Sequence, residues 1–118
     1  MDELIALLFL ARDIAHREHL KTRSFAAHMA LGEFYNEIID KADAIAEAYQ
    51  GCEGKLLNIP YLKNTSKGAI DKILRGHIEW ISSNRYKIVS KEETAIQNLI
   101  DEAVETYQTT LYKLKFLS

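Results

Sequence analysis

From Ala15 to Gly51 the chain reads AHREHLKTRSFAAHMALGEFYNEIIDKADAIAEAYQG. Leu31, Phe34, Ile38, Ala42 and Ile45 recur at helical spacing, Ser24 is placed to cap the N-terminus of that helix, and Gly51 to follow its end. The 26 residues between them hold no proline, which predicts an unbroken helix ~39 Å long. Lys21–Arg23 before it is short enough only for an antiparallel hairpin turn after a first helix. The stretch carries three of the four histidines, His16, His19 and His28, and its long helix carries Glu33, Glu37, Asp40, Asp43 and Glu47. His16 and His28 lie six residues either side of Thr22, so the hairpin is expected to bring both imidazoles to one level. Asp43 and Glu47 form an i, i+4 pair on one helix face.

Two imidazoles and two carboxylates are an ordinary ligand set for iron, zinc or manganese. The four cannot serve one ion within one chain, because Asp43 is fifteen residues beyond His28, or ~22 Å along a helix. The set closes only if a second copy packs antiparallel and turns its Asp43 and Glu47 toward His16 and His28. A two-fold dimer does this twice, since an isologous interface pairs i with j and j with i.

The spacing His16-x11-His28-x14-Asp43-x3-Glu47 and the phrase DKADAIAEAYQG resemble the Dps-type mini-ferritins, closely over the first two helices and in outline over the rest. The resemblance implies a ferritin-like four-helix bundle with a ferroxidase centre shared between two subunits, iron as the metal, oxidation of ferrous iron by oxygen or peroxide, and a role against oxidative stress. It implies a two-fold dimer at least, with a higher oligomer such as a twelve-subunit shell as the larger option. The family's further acid, one turn after the second histidine, is Gly32 here, and its tryptophan after the first histidine is Arg17. With Gly32 in place, the resemblance implies one firmly held metal and a weakened second position, which Gly32→Asp is expected to strengthen.

Around this hairpin the chain reads as four helices in a single domain, 1–118. Asp2 is the expected cap of the first helix, which runs to about Leu20 with Leu4, Leu7, Leu8, Ala11 and Ile14 on one stripe. Ile5 and Phe9 add a second apolar face, which either a deep monomer core or an oligomer interface would use. Residues 51–65 hold the only proline and two of the five glycines, and read as a connector with one short turn at Lys55–Asn58. Fifteen residues reach ~50 Å when extended, enough for a crossover that returns along the bundle, with Leu56, Leu57, Ile59 and Tyr61 pinning it. Ser66 is the expected cap of a third helix to about Ser82, with Ile70, Leu74, Ile78 and Ile81 inward. Ser90 and Glu93 form a candidate capping box for a fourth, striped by Ile96, Leu99, Ile100, Ala103, Val104, Tyr107, Leu111 and Leu114. The fold expected is all-α, a ferritin-like four-helix bundle with a long crossover between helices two and three.

Composition narrows the function classes. With 47% apolar and 27% charged residues the chain is an ordinary globular sequence, not a disordered one. A lone Cys52 rules out an intrachain disulfide and a cysteine-based zinc cluster, and reads as an inert thiol. No run approaches the ~20 apolar residues of a membrane helix, and the apolar start follows acids rather than a basic region, so the expected location is the cytoplasm. The net charge of −2 and the helical start without a lysine-rich tail give no specific nucleic-acid partner. The basic segment Lys55–Lys87, seven cations to two acids, reads as neutralising acidic neighbours. His19 reads as a helix C-terminal cation, His77 beside Trp80 as structural, Asp40 as a group supporting the metal ligands, and Glu33 and Glu37 as a solvated stripe. No nucleotide loop, nucleophile elbow or Glu-x-x-His pair is present. Two classes remain: a metal-binding bundle with ferroxidase chemistry, or an inactive ferritin-like bundle serving as an oligomeric structural or interaction protein.

Overall fold

The computed structural model describes residues 1–117. They form four helices, α1 (Asp2–Lys21), α2 (Phe25–Glu53), α3 (Ile70–Ile88) and α4 (Thr94–Phe116), and no strand among the described residues. The 29 residues of α2 span about 44 Å at the α-helical rise, which sets the 45 Å long axis of the bundle. α1 packs on α2 and α3, and α4 packs on α2 and α3, so each helix has two neighbours around one core.

The stripes meet where their periodicity directs them. Leu4, Leu8 and Ala11 of α1, Leu31, Phe34, Ile38 and Ile45 of α2, Leu74 and Ile81 of α3, and Ile96, Ile100 and Tyr107 of α4 are buried in one cluster. Ile5 is also fully buried in the monomer, whereas Phe9 on the other apolar face of α1 stays exposed. The core therefore accounts for Ile5 but not for Phe9. Thr106 and Thr110 sit at buried positions of α4, and each hydroxyl donates to the carbonyl one turn back, on Glu102 and Thr106. Three contacts fix the direction of α4 against α2: Lys41 with Glu102, Phe34 edge-on to Tyr107, and Glu33 with Lys113. As residue numbers fall on α2 they rise on α4, so this pair is antiparallel.

Helix ends follow local chemistry, and several differ from expectation. Met1 is the N-cap of α1, which places Asp2 inside the first turn beside Glu3, where both carboxylates face the positive end of the helix. Ser24 caps α2, its Oγ accepting from the Ala27 N–H at 3.1 Å. Gly51 stays helical; α2 ends at Gly54, whose φ of 69° is the left-handed conformation that favours glycine. The Lys55–Asn58 turn does not form. Instead Gln50 Oε1 accepts from the Leu57 N–H at 2.9 Å and the chain runs on extended. Leu57 and Ile59 pack against the core while Leu56 and Tyr61 point outward, so only two of the four expected residues pin the connector. Ser66 does not cap α3. Its N–H donates to Asn64 Oδ1, and Gly68, at φ 101°, turns the chain so that the helix starts at Ile70 and continues a turn and a half past Ser82.

The expected capping box at Ser90 and Glu93 is also absent. Ser90 Oγ accepts from the Glu92 N–H and meets the Glu92 carboxylate, so its side chain is used before α4 begins at Thr94. What fixes the α3–α4 turn is Arg85 with Gln97. Arg85 donates to the Gln97 side chain and carbonyl, both at 2.9 Å, and to Asp101 at 2.6 Å, while Gln97 Nε2 donates to the Val89 carbonyl at 2.9 Å. His77 and Tyr107 form a second polar link between these helices, Nδ1 to hydroxyl at 3.0 Å. Burial alone holds the His77 pKa down at about 4 and pushes the Tyr107 phenol well above its usual range, so both groups are neutral near pH 7. Among the described residues, no helix is long and apolar enough to cross a membrane.

Candidate metal site at the first hairpin

α1 ends at Lys21 and α2 begins at Phe25, which centres the turn on Arg23, one residue past Thr22. Side chains on both helices lean toward their own N-termini, away from the turn on α1 and toward it on α2. Residues that touch therefore have a partner on α2 further along than simple counting gives. His28 consequently meets His19, and His16 meets Tyr35. His28 thus meets a residue one turn along α1 from His16, and His16 meets one two turns along α2 from His28.

The His19 and His28 rings stack at 3.7 Å between centroids and 17° between planes. Each Nδ1 reaches the other residue's backbone carbonyl, at 2.6 Å from His19 and 2.7 Å from His28. A carbonyl oxygen only accepts, so both Nδ1 atoms carry their protons. In the neutral rings the free lone pair is then on Nε2, the arrangement in which a histidine presents that nitrogen to a metal while a carbonyl fixes its tautomer. His16 lies flat against Tyr35, 4.1 Å between centroids and 12° between planes, and its nitrogens have no hydrogen-bond partner among the described residues. His19, in the last turn of α1, is half-buried at the centre of a ladder, with His28 on one face and Tyr35 edge-on at 5.2 Å.

Gly32 is what admits that ladder. A Cβ at position 32 would stand 3.0 Å from His19 Cε1 and 3.2 Å from its Nδ1. The missing acid is therefore not an empty position, since the His19 ring occupies the space in front of it. A side chain there must press on an imidazole held by a stack and a hydrogen bond, which works against the gain expected from Gly32→Asp. A glycine inside a strongly patterned helix is the sequence signal for such a close approach, and His19 one turn from His16 is the signal for what approaches.

Asp43 and Glu47 lie one turn apart, exposed, on the side of α2 away from the core. Asp40 is exposed one turn before Asp43, and none of the three has an ion-pair partner among the described residues. Glu33 is not a free solvated acid, since it pairs with Lys113 of α4. Among the described residues of one chain, no three or more histidine, cysteine or acidic side chains are grouped to hold a metal ion. The structure pairs His28 with His19 and His16 with Tyr35 rather than with each other, Asp43 and Glu47 lie further down α2, and a single chain does not join the four.

Comparison with known proteins adds one partial relative and one family. A 56-residue stretch, 48% of this chain, is 38% identical to Sporulation-specific chitinase 2 of Saccharomyces cerevisiae. The chain spans 10% of the length of that protein. No solved structure matches. A family described as a family of unknown function, DUF5856, matches residues 19–114, from the central histidine of the ladder to the last turn of α4. With most of the four-helix unit inside that match, the chain belongs to the DUF5856 family.

Proposed function

We propose that the chain is a ferritin-like bundle that binds a divalent transition metal at a site completed by a second copy of itself. The observation that carries this reading is the hydrogen bond from His28 Nδ1–H to the His19 carbonyl at 2.7 Å, which leaves Nε2 as the lone-pair nitrogen on a fixed ring. The exposed, unpaired Asp43 and Glu47 supply the complementary carboxylates. The ferritin-like topology is supported by helix directions: α1 against α2, α2 against α4, and α4 against α3 each pair low numbers with high. Two of these reversals, α2 against α4 and α4 against α3, leave α2 and α3 parallel, which the connector 54–69 would then join as a crossover.

In this reading His16 and His28 of one protomer and Asp43 and Glu47 of its partner hold iron, or zinc or manganese in its place. Ferrous iron bound there would supply the electrons for reducing oxygen or peroxide. The chain's own contribution is to hold the ligands: the stack fixes the His28 ring, the Tyr35 ring supports His16, and the rigid α2 sets the spacing to Glu47. Because His19 fills the space before Gly32, one metal position is better furnished than two, and metal binding is the core of the proposal rather than rapid iron oxidation. A two-fold dimer at least and a cytoplasmic location belong to the same reading, as does the lack of a specific nucleic-acid partner.

A second reading has its own observation. The reciprocal His19–His28 hydrogen bonds lock α1 to α2 without any metal, as an interaction bundle with no catalytic role would need. Zinc titration by calorimetry, with light scattering on the same samples, separates the two. Wild type should bind as a dimer, and Glu47→Gln, exposed and unpaired, should weaken the site as strongly as His28→Ala. A monomer at micromolar concentration, or metal affinity unchanged in both variants, would leave the interaction bundle.

A further inference from the structure

A cleft of about 510 Å³ lies between α1, the connector and the first half of α3, remote in sequence from the hairpin. It falls within the range typical of small-molecule sites. Its lining includes Lys63, Lys67 and Lys72 and no acidic residue, in a chain whose net charge is −2. None of the three lysines has a carboxylate partner among the described residues. Ser66 adds a hydroxyl, and Trp80, the single tryptophan, adds an apolar wall.

His77 also lines the cleft, although the residue is only 6% exposed. Its Nδ1 is taken by the Tyr107 hydroxyl, and Nε2 has no hydrogen-bond partner among the described residues. Among the described residues no sealed side-chain nitrogen or oxygen goes unpaired, so Nε2 keeps some exposure, and His77 lines this cleft. A buried imidazole between two helices that offers one nitrogen to a lysine-lined cavity is more than a packing residue requires.

We propose that this cleft binds a small amphipathic anion, a phosphate or carboxylate head on an apolar body. The lysines take the head, Trp80 takes the body, and His77 Nε2 bonds a ligand oxygen. The protonation states agree with the role. Tyr107 is held protonated and donates to Nδ1 of a neutral His77, which puts the ring proton on Nε2 and makes that atom a donor. Lysine ammoniums act here as point charges, which suits a head group of either geometry.

Trp80 makes the test optical. Phenyl phosphate titrated into the full chain should give a saturable change in tryptophan fluorescence. Inorganic phosphate, which lacks the body, and phenol, which lacks the charge, should each bind at least tenfold more weakly. Trp80 also borders a neighbouring cleft whose lysines are Lys55 and Lys87, so two double variants locate the binding. Lys67→Ala with Lys72→Ala should weaken phenyl phosphate at least tenfold, and Lys55→Ala with Lys87→Ala should leave it unchanged. All four side chains are exposed, so these variants keep the fold. His77→Gln should lower affinity with the far-ultraviolet circular dichroism unchanged. No saturable signal, equal binding of inorganic phosphate, or a loss confined to the Lys55 and Lys87 variant would overturn the proposal.

Discussion

Replacing Gly32 by alanine sets two effects of opposite sign against each other at one atom. In an exposed helix interior, glycine to alanine stabilises by roughly 1 kcal/mol, because glycine loses more backbone freedom on folding. At position 32 the new methyl would stand 3.0 Å from His19 Cε1 and 3.2 Å from Nδ1. The ring cannot simply swing aside, since it is stacked on His28 at 3.7 Å and hydrogen-bonded to the His28 carbonyl at 2.6 Å. Overpacking of this kind costs about 1–3 kcal/mol, so Gly32→Ala should be neutral to destabilising by about 2 kcal/mol. Gly76, helical in α3 with open space around its Cα, supplies the reference: Gly76→Ala should stabilise by about 0.5–1 kcal/mol. Urea denaturation monitored by circular dichroism gives both values from the midpoints. His19→Ala combined with Gly32→Ala should recover the stabilisation, since the second change then meets no ring. If Gly32→Ala raises the midpoint as much as Gly76→Ala with His19 intact, the reasoning about the ladder is wrong.

The remaining predictions concern the links outside the hairpin. The His77 pKa is about 4 folded against 6.5 for the free side chain, so the unfolded chain binds the extra proton between those values. Stability should be full above pH 6.5 and fall by about 3 kcal/mol as the pH drops to 4; in His77→Gln, urea midpoints should lose much of that slope. Gln97→Leu removes the buried donor to the Val89 carbonyl and the acceptor for Arg85, and should lower stability by about 2–3 kcal/mol in the same assay. Ser24→Ala removes the α2 cap and should cost about 1 kcal/mol, whereas Ser66→Ala and Ser90→Ala, which cap no helix among the described residues, should each change stability by less than about 0.5 kcal/mol.

The four helices were legible because their stripes are long and regular, and what periodicity encodes is which face turns inward. It does not encode where a helix stops. Ser66 and Ser90 both have the chemistry of an N-cap, yet Glu92 takes the Ser90 hydroxyl in a local turn, Gly68 turns the chain after Ser66, and the helices begin four residues later in each case. A serine outside a helix has several short-range partners, and choosing among them depends on backbone torsions set elsewhere, for Ser66 at Gly68. Ser24 had no such competitor for its Oγ, and its cap was read correctly.

The same distinction governs the candidate site. Residue types were readable, so His16, His28, Asp43 and Glu47 could be nominated from their spacing and a family resemblance, but contact between helices depends on lean and register. A one-residue shift of the turn, added to the opposite lean of side chains on the two helices, carries His28 to His19 and His16 to Tyr35. Gly32 then changes meaning: read along the chain it is a missing carboxylate, and read across the hairpin it is room for a ring. His77 changes meaning in the same way. In sequence it has no carboxylate neighbour and looks structural, but across the bundle its Nδ1 is answered by Tyr107, thirty residues on, and the residue lines a cleft with lysines from the connector and from α3. A histidine has two nitrogens, and its role follows from the partner of each; a linear sequence shows neither partner when both come from other elements of the fold.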